Sequence, residues 1–187
     1  MVTEMETVSL KGKVIWFFGK SGSGKTTMAD LLAEDLREKG LDVERLDGDI
    51  VRQSLCKDLG FTKEDIFNNI RRVCFVADIL SRNGITVVAS FITPSKANRL
   101  YLIEKLGIKL ILIYLSASLK TCMIRDTKEL YTRALEGEIT NLAGFDSPFE
   151  EPYYILGFTV CVPTDASTIE DTYKALKGTL EWWDYEI

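Results

Sequence analysis

The feature that most constrains this chain is an apolar pentad running straight into a glycine-rich turn. Val14-Ile15-Trp16-Phe17-Phe18 is followed by Gly19-Lys20-Ser21-Gly22-Ser23-Gly24-Lys25-Thr26, which matches G-x-x-x-x-G-K-[ST]. A continuous β-branched and aromatic run reads as a strand buried on both faces. The amphipathic pattern from Thr26 to Lys39, closed by Gly40 as its C′ residue, reads as a helix. Strand, turn and helix in this order make the turn a phosphate loop. Its backbone N–H groups face inward as an anion nest, and the helix N-terminus adds positive potential. Lys25 then reaches the β- and γ-phosphates, and the Thr26 hydroxyl takes a Mg²⁺ position. A nucleoside triphosphate is therefore expected on Gly19 to Thr27.

The same alternation continues along the chain. Val43 to Leu46, Ile85 to Ile92, Leu110 to Leu115 and Phe158 to Val162 read as further strands. Thr62 to Arg82 reads as a helix opened by a Thr62-x-x-Asp65 box, and Pro94 to Leu106 as one with proline in its first turn. Ser116 to Arg125 and Thr168 to Trp182 complete the set. Strands alternating with helices predict an α/β fold with a five-stranded parallel sheet flanked by helices. Residues 126–157 show no sustained period. A segment of that length in a compact domain of 187 residues reads as a lid or binding loop.

Composition narrows the chemistry. The chain contains no histidine, which removes histidine bases, histidine-ligated metals and both Ser-His and Cys-His nucleophile pairs. With 23 Lys+Arg against 28 Asp+Glu, its net charge of −5 leaves no basic footprint for nucleic acid or a membrane surface. Cys56, Cys74, Cys122 and Cys161 lack CxxC spacing and sit in apolar runs, so four buried free thiols are expected. The acidic start MVTEMETVSLKGK has no h-region, and no apolar run reaches 18 residues, so a cytoplasmic protein is expected.

After the second strand comes Leu46-Asp47-Gly48-Asp49. At the carboxyl end of a parallel strand, two acids flanking a glycine can orient an acceptor hydroxyl, take its proton or hold Mg²⁺. They can equally form a turn and an N-cap. Arg52, Arg71, Arg72, Arg99 and Arg125 are candidates for binding anions.

The string LDGDIVRQSLCKDLGFTKEDIFNNIRRVCFVADIL, then SFITPSKANR, RDTKELYTRALEGEI and GFDSPFEEP, resembles the adenylylsulfate kinase family of P-loop kinases across roughly residues 11–165. The resemblance implies transfer of the γ-phosphate of Mg·ATP to the ribose 3′-hydroxyl of adenosine 5′-phosphosulfate, giving PAPS. It places the ATP phosphates on the glycine loop. Asp49 falls near the acceptor hydroxyl and the metal, with Thr26 as the other metal group. Arg52 falls at the substrate anhydride, and Phe61 is the ring that stacks on its base. Asn69 and Arg71 fall around the substrate with Asp47, Ile92 lies at the pocket wall, and Thr93 stands where many members carry a serine. Arg125 and Lys128 begin the lid, and Lys25, Asp49 and Lys128 form the catalytic set. The resemblance also implies a homodimer, for which Trp182, Trp183 and Tyr185 are candidate core or interface residues.

Several positions depart from the family pattern, among them Ile50, Ile66, Lys96, Thr127, Glu129, Thr140 and Leu142. Ile66 replaces an arginine and Leu142 a second base-stacking phenylalanine. Losing a charge-assisted hydrogen bond costs about 1.5–3 kcal/mol. Losing a stacking ring costs roughly 1–3 kcal/mol. The acceptor therefore stays open between adenosine phosphosulfate and a CDP-linked nucleotide such as cytidine diphosphoramidate. A nucleotide-binding regulator without activity is the reading from a different class.

Overall fold

The computed structural model describes residues 9–152 and 159–182, the side chain of Trp182 excepted. Phe158, Trp183, Tyr185 and the end of the 126–157 segment lie outside the described residues. Five parallel strands form one sheet in the order β2-β3-β1-β4-β5. They are β1 (Val14–Phe18), β2 (Val43–Asp47), β3 (Thr86–Ser90), β4 (Leu110–Ser116) and β5 (Thr159–Pro163). All five match the sequence expectation within a residue or two.

The first strand explains the layering. Alternate side chains of a strand leave opposite faces. Val14, Trp16 and Phe18 join a core with Ile70, Val73 and Leu102, which lie on α3 (Lys63–Arg82) and α4 (Lys96–Leu106). Ile15 and Phe17 join a second core with Leu32 and Leu36 of α1 (Lys25–Glu38) and Leu176 and Leu180 of α7 (Ile169–Trp182). All five residues of β1 are fully buried, which is why the run carries no polar residue.

Helix starts follow their caps. Thr62 and Asp65 form the predicted box reciprocally at the head of α3. The fourth helix departs from expectation. It begins at Lys96, because Ser95 and Asn98 form a second capping box, and Pro94 stays outside it. Ser116 belongs to β4, and α5 (Leu119–Arg125) starts from a Ser118 cap. Two short helices carry no readable period in sequence, α2 (Gly48–Gln53) and α6 (Leu130–Leu135). The sixth helix lies within the segment read as a lid. Cys56, Cys74 and Cys122 are buried, but Cys161 is exposed. Its strand is an edge of the sheet whose alternate residues face outward, so an apolar neighbourhood in sequence does not bury it. Among the described residues no helix is long and apolar enough to cross a membrane.

Candidate active site

Parallel strands bring their carboxyl ends to one edge, and the connections leaving β1, β2 and β3 meet there. They frame a cavity of about 1050 Å³. Gly19 N donates to Ile92 O at 3.4 Å, which stitches the glycine loop to the chain leaving β3.

Within the loop, Gly22 has φ +75°, and a Cβ there would lie 2.8 Å from Cys122 O. Only glycine fits between this loop and the middle of α5. Lys25 folds back so that Nζ donates to Lys20 O at 2.6 Å. Burial pushes its pKa down from 10.5 to about 8, against the pull of Asp49 and Asp47. Ser23 Oγ is buried with no hydrogen-bond partner among the described residues. A glycine-rich turn at the head of α1, with an orphaned hydroxyl and a buried lysine ammonium, fits a polyphosphate. Ser21 to Thr27 line the cavity. Lys20 does not. Its Nζ turns to Glu151 Oε1 at 2.6 Å, and its stem packs beside Gly144.

Thr26 Oγ1 donates to Asp47 Oδ2 at 3.2 Å, so the carboxylate that meets the Thr26 hydroxyl is Asp47. Asp47 also caps α2 by accepting from Asp49 N at 2.9 Å, so the cap and the site are one residue. Burial raises its pKa. The Asp49 amide, the Ser90 hydroxyl, Arg45 and Thr26 together outweigh that and hold the carboxyl below its usual range. Among the described residues no cluster of three or more His, Cys, Asp or Glu could hold a metal by itself. A hydroxyl beside one carboxylate suits a hard divalent cation that takes its remaining ligands from phosphates and water. Asp49 projects from the first turn of α2, largely exposed, and pairs with Lys128 across the cavity mouth.

Arg125 donates to Thr164 Oγ1 at 3.1 Å and to the Thr164 carbonyl, and it lines the cavity beside Gly22. Sequence reading missed Thr164. It missed Tyr131 too, whose hydroxyl donates to Ser21 O at 2.9 Å and ties α6 to the loop. Its only signal was its place in the lid string.

At the far end of the cavity the Arg52 guanidinium lies over the Phe61 ring, 4.2 Å from its centroid. Arg52 also donates to Leu59 O and Gly60 O, which fixes the turn that presents Phe61, and Phe61 stays more than half exposed. Asn69 is buried at the cavity wall with Nδ2 unpartnered among the described residues. Ile66 and Ile92 line the same wall. Leu142 touches the cavity but is buried against Tyr131 and Cys122.

The structure does not bring Arg71 to this cavity. Arg71 is exposed beside a separate depression of about 510 Å³ with Asn68, Phe75 and Tyr101. It stands two residues from Asn69 on one helix, about 200° around its axis, so both cannot face one cavity. Thr93 lines the cavity, is buried as a residue, and its hydroxyl accepts the Trp16 indole N–H at 2.8 Å.

The family model for adenylylsulphate kinase matches residues 11–155. At 46% identity over 165 residues, 88% of this chain and 75% of the relative, the chain is similar to a probable adenylyl-sulfate kinase of Pseudomonas aeruginosa. It is also 46% identical over 171 residues to an adenylyl-sulfate kinase of Halothermothrix orenii, covering 91% of this chain and 90% of that one. Among solved structures, the Mycobacterium tuberculosis APS kinase in complex with AMPPNP and APS superposes with a TM-score of 0.81 at 34% identity. That match covers 91% of this chain and 98% of the other.

Proposed function

The chain belongs to the adenylylsulphate kinase family, a family of kinases with an alcohol acceptor, and on that premise we propose that it phosphorylates the 3′-hydroxyl of adenosine 5′-phosphosulfate from Mg·ATP. The observation that carries the reading is one continuous cavity with a phosphate cradle at one end and the Arg52–Phe61 platform at the other.

In this reading the loop amides and Lys25 hold the β- and γ-phosphates, and Thr26 and Asp47 face the Mg²⁺. The bound cation neutralises charge on the transferred group. Asp49, at the cavity mouth between the two ends, orients the acceptor hydroxyl and takes its proton. Lys128 exchanges its Asp49 partner for a phosphate oxygen as substrates enter, so one side chain serves to close the site and to stabilise the transferring group. Residues 126–152 act as the lid, pinned to the phosphate loop through Tyr131 and kept over the site to exclude water. Phe61 offers the base a face, and the free Asn69 Nδ2 offers the acceptor a donor. A homodimer is part of the same proposal, and exposed Phe75 and Ile79 on α3 supply apolar surface suited to it.

In this reading Leu142 packs the lid against Tyr131 and Cys122, and among the described residues lining the cavity Phe61 is the exposed ring. The CDP-linked acceptor has no support among the relatives above. Incubation with Mg·ATP and either adenosine 5′-phosphosulfate or a CDP-linked nucleotide, read by mass, tests the assignment. The phosphosulfate is expected to gain one phosphoryl group at least a hundredfold more efficiently. Turnover of the cytidine compound alone would overturn the acceptor assignment.

A further inference from the structure

Behind the phosphate loop lies a guanidinium that no sequence motif contains. Arg45 stands two residues before Asp47 on β2, so both side chains leave the strand on the face that meets α1. Its Nε donates to Asp30 Oδ1 at 2.8 Å, and its Nη1 to Leu46 O at 3.0 Å and Val88 O at 3.2 Å. Nη2 donates to Ser90 Oγ at 2.9 Å and reaches Asp47 Oδ2 at 3.4 Å. Ser90 Oγ then donates to that same oxygen at 2.8 Å, as Thr26 Oγ1 does at 3.2 Å.

Thr26 and Asp30 are one turn apart on α1. Thr26, Asp47, Arg45 and Asp30 therefore close a ring between the first turns of that helix and the end of β2, an edge strand. The Arg45–Asp47 pair is nearly covered, with side-chain exposures of 13% and 12%, whereas Asp30 is 59% exposed. The outer contact is thus screened by water and the inner one is not. Nη2 matters twice. It touches the carboxylate, and by occupying a lone pair of Ser90 Oγ it turns the hydroxyl proton of Ser90 toward Asp47. Only a planar fork serves all these acceptors at once, and a lysine ammonium cannot.

We infer that Arg45 is a positioning residue that holds the Asp47 carboxylate against the Thr26 hydroxyl, so that both oxygens are set for the divalent cation accompanying the nucleotide. The inference rests on the reading that Thr26 and Asp47 face that cation. Without Arg45, Asp47 keeps its neighbours but loses the group that fixes its rotamer, and the cation meets a carboxylate that must first be ordered. Nucleotide held by the loop amides and Lys25 alone is unaffected.

The test is calorimetric titration of ATP into wild type, Arg45→Met and Arg45→Lys, once with EDTA and once with excess Mg²⁺, beside thermal melts. Metal-free affinity is expected to stay within about twofold in all three. The gain in affinity on adding Mg²⁺ is expected to shrink about tenfold in Arg45→Met and at least threefold in Arg45→Lys. Should Arg45→Met fail to fold, Arg45→Lys decides alone. An undiminished Mg²⁺ gain, even with a lowered melting temperature, would make Arg45 a staple of the edge strand and overturn the inference. A wild type that gains nothing from Mg²⁺ would overturn the cation reading and this inference together, which separates the two failures.

Discussion

Lys25 sits where burial and two carboxylates act on its proton in opposite directions, and burial wins. In the free protein it is half-discharged near pH 8. The unfolded chain keeps that proton to about 10.5, so from 8 to 10.5 the unfolded state binds more protons and the Lys25 contribution to stability rises with pH. Below 8 the cost of burying the charge is felt in full. Bound phosphates reverse the balance, because they favour the ammonium. ATP binding above pH 8 is therefore expected to draw most of one proton from the buffer, and affinity to fall up to about tenfold per pH unit. Calorimetry at pH 8.5 in two buffers of different ionisation heat measures this, and buffer-independent heats would refute it. Asp47 is the counterpart: the Asp49 amide, Ser90, Arg45 and Thr26 outweigh burial and hold its carboxyl below 3.8, so the stability it contributes is present above that value and is lost as pH falls through the lower folded pKa.

At the scale of elements, the fourth helix shows what a cap is worth. Ser95 accepts from Asn98 N while Asn98 reaches back to Ser95 N, so two otherwise orphaned amides are satisfied. Ser95→Ala is expected to cost about 1 kcal/mol, with a range of about 0.5–2. That lowers the melting temperature of a chain this long by about 2–4 °C per kcal/mol, read in a thermal melt. No change would mean that packing alone holds the helix start. The long elements were legible because burial on two faces leaves runs such as Val14–Phe18, and because three or more turns leave a stripe. The six-residue helices α2 and α6 span under two turns and leave none. The lining of the candidate cavity was legible at the glycine loop and Asp47, where chemistry dictates residue type, and at Arg52 through the family resemblance. It was not legible where position depends on helix phase, as with Arg71, or on partners distant in sequence. Thr164 under Arg125 and Glu151 under Lys20 are contacts of that second kind, set by how β5 and the stretch around Glu151 within the lid segment return to the loop.

At the scale of the whole molecule, the proposed reading puts the ligands between the sheet edge and a lid segment whose Tyr131 and Leu142 pack on Cys122 of α5. Ligand binding to such a cleft stabilises the folded state by mass action. Mg·ATP at about a hundred times its Kd is expected to add about 2.7 kcal/mol. In a chain of this length that raises the melting temperature by roughly 5–10 °C. Amide exchange in residues 126–152 should slow with it, measured by mass spectrometry, and a shift in melting without protection there would remove the lid from the proposal. Thr93 carries a last consequence. With its hydroxyl held by the Trp16 indole, Thr93 offers the phosphoryl group no resting place on the way across. In the proposed reaction the group makes a single crossing. Donor and acceptor must then be present together, and a phosphorus atom labelled with three different oxygen isotopes would arrive with its handedness turned over once.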